Sequence, residues 1–577
     1  MRRFAFVLSV VVTAALTPAQ SRAQSVAALA DRYVARFVET FPEQAEASGL
    51  SQAPHDRLSD NSLAAVGAWR AFEDSLRAAL DATPAAGAES TAVLYAYLRE
   101  ALDAARGTRV CRQELWPANP AFGWQTGLVQ VAASQPVGTP AARAAALARW
   151  RAVPRYIDTE ITNLREGAGS GYTSAASAVR AVVEQLDGML ALPVDSLPFL
   201  EPASRDTTAE FRTALRTIVA DSILPAARRY REFLATEYLP RARTSPAVAA
   251  NRDGLACYRA LLRAATSVDR DPKALFAEMS AQVQSDSVGM LRAGVAVYGK
   301  GPARDTKWLR AQIEADSAAL LPTPEAIREF SERSVRRARA ALPKWFSVVP
   351  SAEVVLTPFP AYQQATAPGG QYNPPAEDGS RPGIYYYRTY PPVTRIGLQA
   401  TVFHETWPGH HLQAATVGER KASHPITRIL WFPGFGEGWA TYTEKLAYEM
   451  GLYETARDTL GYFADALRPL MVADLGMQVM GWTADQALAY MVAHTPTRTP
   501  DRLARAVTLI TAIPGYVASY TVGALEIDRL RTEARRRLGR RFDIREFHRQ
   551  LLEDGAVPLT FARQKIEHWA GAPRATP

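Results

Sequence analysis

Three of the chain's 8 histidines fall within eight residues, in Phe403-His404-Glu405-Thr406-Trp407-Pro408-Gly409-His410-His411-Leu412-Gln413. Imidazole is a common metal ligand, and a carboxylate beside the first imidazole suggests a general base. In the familiar zinc-peptidase pattern two histidines lie four residues apart on a helix, so both face one metal ion. Here the fifth position is Pro408. Proline has no N–H to donate, and its ring clashes with the carbonyl four residues back. The spacing therefore predicts a kink or bulge at Pro408-Gly409. His411 returns to the face of His404, but about 10 Å further along an ideal helix. His410 points away in an undistorted helix. Helical phase favours His411 as the second ligand, with His410 as its rival or as a donor behind it.

A third ligand is expected from another helix. Pro433-Gly434-Phe435-Gly436-Glu437-Gly438-Trp439-Ala440-Thr441-Tyr442-Thr443-Glu444 offers Glu437 and Glu444, seven apart and on one face. Glu437 is the candidate ligand. Glu444 is placed to hold a ligand imidazole through its other ring nitrogen. Zn²⁺ with three protein donors keeps an open position for water and lowers that water's pKa toward about 7. The bland alternative is a polar helix end with stacked imidazoles and no metal.

Positioning such residues requires a scaffold, and the chain reads as mainly helical. From Val26 to about Leu342 apolar residues recur at helical spacing, as in Val26, Leu29, Tyr33 and Phe37, with Pro42, Gly49 and Pro54 as punctuation. Pro84-Ala85-Ala86-Gly87-Ala88 reads as a loop. Between Pro343 and Pro392 the texture changes. Val354-Val355-Leu356 and Gly383-Ile384-Tyr385-Tyr386-Tyr387 are β-type runs joined by a long Pro/Gly/Gln-rich loop, which predicts a small sheet. Gly383–Tyr387 is expected at the edge of that sheet, open to a substrate backbone, with its tyrosines mainly packing. Helical character returns from Val393. No linker and no fixed-period repeat is evident. The expected organisation is one helical domain, 24–577, with a helical N-terminal part (24–342) and a catalytic part (343–577).

With 577 residues, 47% hydrophobic and 21% charged, the chain has ample material for a large core. Its 2 cysteines exclude a disulfide scaffold, and 35 glycines without a three-residue period exclude collagen. A net charge of +8 is small for this length, and Arg535-Arg536-Arg537 with Arg540-Arg541 reads as a solvated helix end, so no nucleic-acid partner is expected. Residues 1–23 read as a secretory signal. Arg2-Arg3 precede the apolar run Phe4 to Leu16, too short to span a bilayer, and Ser21-Arg22-Ala23 fits a cleavage site. No cysteine follows the cut to carry a lipid. A periplasmic or secreted protein without a membrane anchor is expected, and there Cys111 and Cys257 could pair or stay as buried thiols.

The run His404 to Gln413 resembles the H-E-x-x-P-G-H-H-L-Q signature of the domain-of-unknown-function 885 family. Glu437-Gly438-Trp439-Ala440 with Tyr442 and Glu444 resembles its E-G-W-A-x-Y-x-E signature. Asp378-Gly379-Ser380-Arg381-Pro382-Gly383, Pro514-Gly515, Ser519-Tyr520 with Gly523, and Phe547-His548 extend the likeness over nearly all of the mature chain. That family is grouped with the gluzincin metallopeptidases. The resemblance implies a gluzincin-type helical fold with a small sheet beside the active-site helix. It implies one Zn²⁺ held by His404, one of His410 and His411, and Glu437, with Glu405 as base. It also suggests Tyr520 and His548 as donors to a transition state. Three positions depart from the family pattern: Gln478 stands where a His is usual, Tyr516 where a Gln is usual and Thr521 where a Lys is usual.

The expected activity is a zinc-dependent hydrolase, a metallopeptidase acting on short peptides by metal-activated water. The alternatives are a non-catalytic metal-containing binding protein and a metal-dependent hydrolase of a non-peptide amide or ester.

Overall fold

The computed structural model describes residues 25–83, 89–299, 305–359, 364, 369–375, 381–389, 393–420, 424–464 and 467–571. The signal segment, the loop at Pro84–Ala88 and Asp378–Ser380 lie outside the described residues. The rest is mainly helical, as the periodicity predicts. In α1 (Val26–Thr40) the Ser25 hydroxyl caps the first turn by accepting from the Ala28 N–H, and the stripe Val26, Leu29, Tyr33 and Phe37 is buried.

The two ends of the chain share a core. Residues of α1 pack in one apolar cluster with Phe403, Trp439 and Leu446, and with Phe547 and Ile566 near the C-terminus. A second cluster lies wholly within residues 118–242. A third joins Cys257 and Leu262 of α2 (Gly254–Thr266) to Leu475, Leu503 and Val522. Cys111 and Cys257 are bonded, with Cα atoms 4.7 Å apart and a sequence separation of 146. No helix among the described residues is long and apolar enough to cross a membrane.

The sheet has three strands: β1 (Val354–Pro358), β2 (Gly370–Asn373) and β3 (Gly383–Tyr387). Their order is β1-β3-β2, with β1 and β3 parallel and β2 antiparallel to β3. This corrects the edge-strand expectation. Gly383–Tyr387 is the central strand, hydrogen-bonded on both sides, and the edge beside the helices is β2. The tyrosines of β3 do pack: Tyr385 and Tyr387 are buried, and Tyr386 stacks on Phe359.

Six helices finish the site. These are α3 (Arg395–Glu405), α4 (His410–Gly418), α5 (Pro433–Glu449), α6 (Leu467–Val479), α7 (Pro500–Ala512) and α8 (Ala518–Leu538). The break predicted at Pro408 is complete. Thr406 leaves helical geometry (φ −113°, ψ −114°), the Trp407–Pro408 peptide is cis, and a new helix starts at His410. Gly409 makes this fold-back possible. A Cβ there would stand 1.9 Å from the His404 carbonyl oxygen, so only glycine fits. Helices α5 and α8 touch backbone to backbone for a similar reason: a Cβ on Gly438 would meet the Gly523 Cα at 2.5 Å.

Candidate metal centre

His404 ends α3, His410 begins α4 and Glu437 lies in the second turn of α5. One donor atom of each lies within 4.8 Å of the other two. The Glu437 Oε2 is 3.6 Å from His404 Nε2 and 3.3 Å from His410 Nε2. Donors about 2.1 Å from a tetrahedral zinc ion are separated by about 3.4 Å, and the two separations from Glu437 match that spacing. The His404 and His410 rings are nearly perpendicular, with centroids 4.9 Å apart. His404 Nδ1–H donates to Glu444 Oε1 at 2.9 Å, which holds the ring with its Nε2 toward Glu437. Burial disfavours charge on His404, but the Glu437 and Glu444 hydrogen bonds outweigh it and raise its pKa. For Glu437 burial is likewise outweighed, by both imidazoles, and its pKa is lowered.

Glu405 is buried and lines the same cavity. Burial pushes its carboxyl above the usual carboxylate range, against the pull of His404 and His410. The Tyr520 ring stacks on His404 at 6.1 Å, and burial and the nearby Glu437 raise its hydroxyl's pKa.

His411, which helical phase favours, is not part of this group. Its Nε2–H donates to the Ala352 carbonyl and its Nδ1 accepts from the Tyr372 hydroxyl, both at 2.9 Å. Both nitrogens are spent, the ring is fully buried, and burial lowers its pKa to about 4. The reason is the break itself: phase arguments assume a continuous helix, whereas the chain turns and restarts at His410. His548, expected as a transition-state donor, is also placed elsewhere. It sits on α9 (Ile544–Leu552), fully buried behind Trp439, and is not among the residues lining the cavity. Its Nδ1–H donates to the Trp345 carbonyl at 2.9 Å and its Nε2 accepts from the Tyr442 hydroxyl at 3.0 Å.

Helix α5 is therefore two-faced. Glu437 and Glu444 reach the histidines of the cluster. Trp439 and Tyr442 face the opposite way, and the Trp439 indole N–H donates to the carbonyls of Pro408 and Gly409 at 3.1 and 3.2 Å. That contact pins the turn from which His410 emerges.

Two residues at the site carry no sequence signal of their own. The Tyr516 hydroxyl donates to Glu437 Oε1 at 3.3 Å, although sequence marks it only as a departure from the family pattern. Its turn is held by Asp474 of α6, whose Oδ2 accepts from the Gly515 N–H at 3.0 Å and from the Tyr258 hydroxyl at 2.9 Å. Tyr385 is fully buried with no hydrogen-bond partner for its hydroxyl among the described residues, and Glu405 is close enough to raise its pKa. The other departures lie in the interior: Gln478 Oε1 accepts from the Val248 N–H at 2.8 Å, and the Thr521 hydroxyl contacts Met471.

All of this opens onto a cavity of about 2700 Å³. Its walls come from both the N-terminal and the C-terminal part of the chain, and Phe122 meets Tyr516 edge-on with ring centroids 6.4 Å apart.

The chain belongs to the family described as "Bacterial protein of unknown function (DUF885)". That family's model matches residues 42–566. Among solved structures, a candidate lipoprotein of Colwellia psychrerythraea aligns with a TM-score of 0.87 at 24% identity, covering 95% of this chain and 99% of that one. A candidate lipoprotein of unknown function from Shewanella oneidensis aligns with a TM-score of 0.74 at 17% identity, covering 94% and 99%. These members of the comparison share the fold. No curated protein sequence matches the chain.

Proposed function

We propose that the protein is a zinc-dependent hydrolase, a gluzincin-like metallopeptidase that cleaves short peptides. The observation that carries this reading is the convergence of His404 Nε2, His410 Nε2 and the Glu437 carboxylate on one point, with Glu405 beside them on a cavity wall. Bound Zn²⁺ supplies a Lewis acid there and acidifies a water molecule. Glu405 accepts the proton of the attacking water and delivers it to the leaving amine nitrogen, a role its raised pKa suits. Tyr520 and Tyr516 border the same point, and their hydroxyls are available to an oxyanion once released from Glu437. The outer edge of β2 borders the cavity, so an extended backbone would pair there rather than on β3.

Size supports a peptide. A cavity of about 2700 Å³ exceeds the 300–1,000 Å³ usual for small-molecule sites, which suits several residues of chain. Enclosure by helices of both halves favours short, flexible substrates over folded ones. We place the protein outside the cytoplasm, in the periplasm or secreted. The signal-like start of the sequence, the Cys111–Cys257 bond and the lipoprotein descriptions of the fold neighbours support that location.

The test is elemental analysis of the purified protein followed by a peptide-library digest with and without chelator. The proposal expects about one zinc per chain and cleavage that chelator stops. Cleavage indifferent to chelator, or none by zinc-replete protein, would overturn it.

A further inference from the structure

The cavity holds a second group of charged side chains, of opposite sign to the carboxylates of the metal centre. Arg502 and Arg505, three apart on α7, project from one face of the helix, and Arg388 immediately follows β3. All three line the cavity. None forms a side-chain hydrogen bond or ion pair with another described residue. The contrast with the rest of the molecule is sharp, because most of its arginines are paired with carboxylates, as Arg395 is with Asp458 and Arg531 with Glu449. Arg388 Nε is buried with no hydrogen-bond partner among the described residues. The three are near enough to repel one another. Burial, then Arg498, Arg388 and Arg505, pull Arg502 down to about 10, and burial and Arg505 lower Arg388. Unpaired guanidinium groups gathered in a cavity lower their free energy by taking up an anion, and their planar fork matches a carboxylate.

Their distance from the chemistry follows from the sheet register. Tyr387 pairs with Gly370, and a Cβ on Gly370 would lie 3.1 Å from Glu405 Cγ. Arg388 is the next residue along, so its Cα is about 6 Å from that of Gly370. An extended peptide advances about 3.3 Å per residue, which puts the Arg388 backbone about two residues, and the reach of its side chain two or three residues, from the bond beside Glu405.

We propose that Arg388, Arg502 and Arg505 form an anion subsite that takes a carboxylate of the substrate, selecting short peptides with a carboxylate two or three residues from the cleaved bond. This rests on the peptidase reading for its substrate, but its test does not depend on turnover. The carboxylate is either the free C-terminus or an acidic side chain.

The experiment is calorimetric titration of metal-stripped protein with three probes: N-acetyl-tetraalanine, its C-terminal amide, and that amide with glutamate in place of the last alanine. The acid is expected to bind about 10- to 100-fold more tightly than the plain amide. The preference should vanish in Arg502→Gln/Arg505→Gln and in Arg388→Gln, and return in part in Arg502→Lys/Arg505→Lys. Recovery of affinity by the glutamate amide identifies a side-chain carboxylate as ligand, and no recovery identifies the C-terminus. Equal binding of acid and amide, a preference unchanged in the glutamine variants, or no binding of either probe overturns the proposal. Cleavage of the same probes by zinc-loaded protein is followed in parallel. Carboxylate preference without cleavage would sink the hydrolase and leave the subsite standing, and cleavage without preference would do the reverse.

Discussion

Two pairs of histidines in the molecule have opposite surroundings. His404 and His410 meet carboxylates, Glu437 and Glu444. His411 and His548 meet neutral partners, the Ala352 and Trp345 carbonyls and the Tyr372 and Tyr442 hydroxyls. A neutral imidazole has one N–H and one lone pair. In the second pair both are used, so those rings are packing units with hydrogen bonds. In the first pair the Nε2 atoms converge on one point with a carboxylate. What separates a candidate ligand histidine from a structural one here is the partner of its second nitrogen, and position along a helix is a poor guide to that.

The comparison can be broken in several ways. Glu405→Gln should leave metal content unchanged and lower turnover by about 10²–10⁴-fold in a peptide assay, because only the proton acceptor is lost. Glu444→Gln should keep the fold and weaken zinc about 10- to 100-fold in a chelator competition, because the acceptor behind His404 loses its negative charge and the ring its basicity. His548→Gln should leave zinc affinity alone and cost about 1–3 kcal/mol in denaturant unfolding, since it disturbs buried hydrogen bonds to Trp345 and Tyr442. If it lowers zinc affinity instead, the two sides of α5 are not independent.

The same variant sharpens the comparison through pH. Burial lowers His548 from 6.5 to about 3. Between those values the unfolded chain takes up a proton that the folded chain does not, so His548 makes the protein lose stability as pH falls from about 6.5 toward 3. Unfolding of His548→Gln should show a shallower decline over that window. An unchanged slope would mean that His548 is not held neutral.

Much of the candidate site was legible because its parts are local. His404 and Glu405 are adjacent, Glu437 and Glu444 share a helix face, and Pro408 announces a break. The fold class was legible from helical periodicity in segments such as α1. What was not legible depends on how the chain re-enters after that break or on contacts distant in sequence. His410 replaces His411 because the turn resets the helical phase. The strand β2 is read from Gly-Gln-Tyr-Asn, which has no β-type pattern, and it exists because it pairs with β3. The roles of Tyr516 and His548 are set by partners 79 and 106 residues away, Glu437 and Tyr442.

The central claim is that one cation sits between His404, His410 and Glu437. The most direct test is zinc content after dialysis, by elemental analysis, for the wild type, His410→Ala and His411→Asn. The account predicts about one equivalent in the wild type and in His411→Asn, and essentially none in His410→Ala. Zinc retained by His410→Ala and lost from His411→Asn would contradict it.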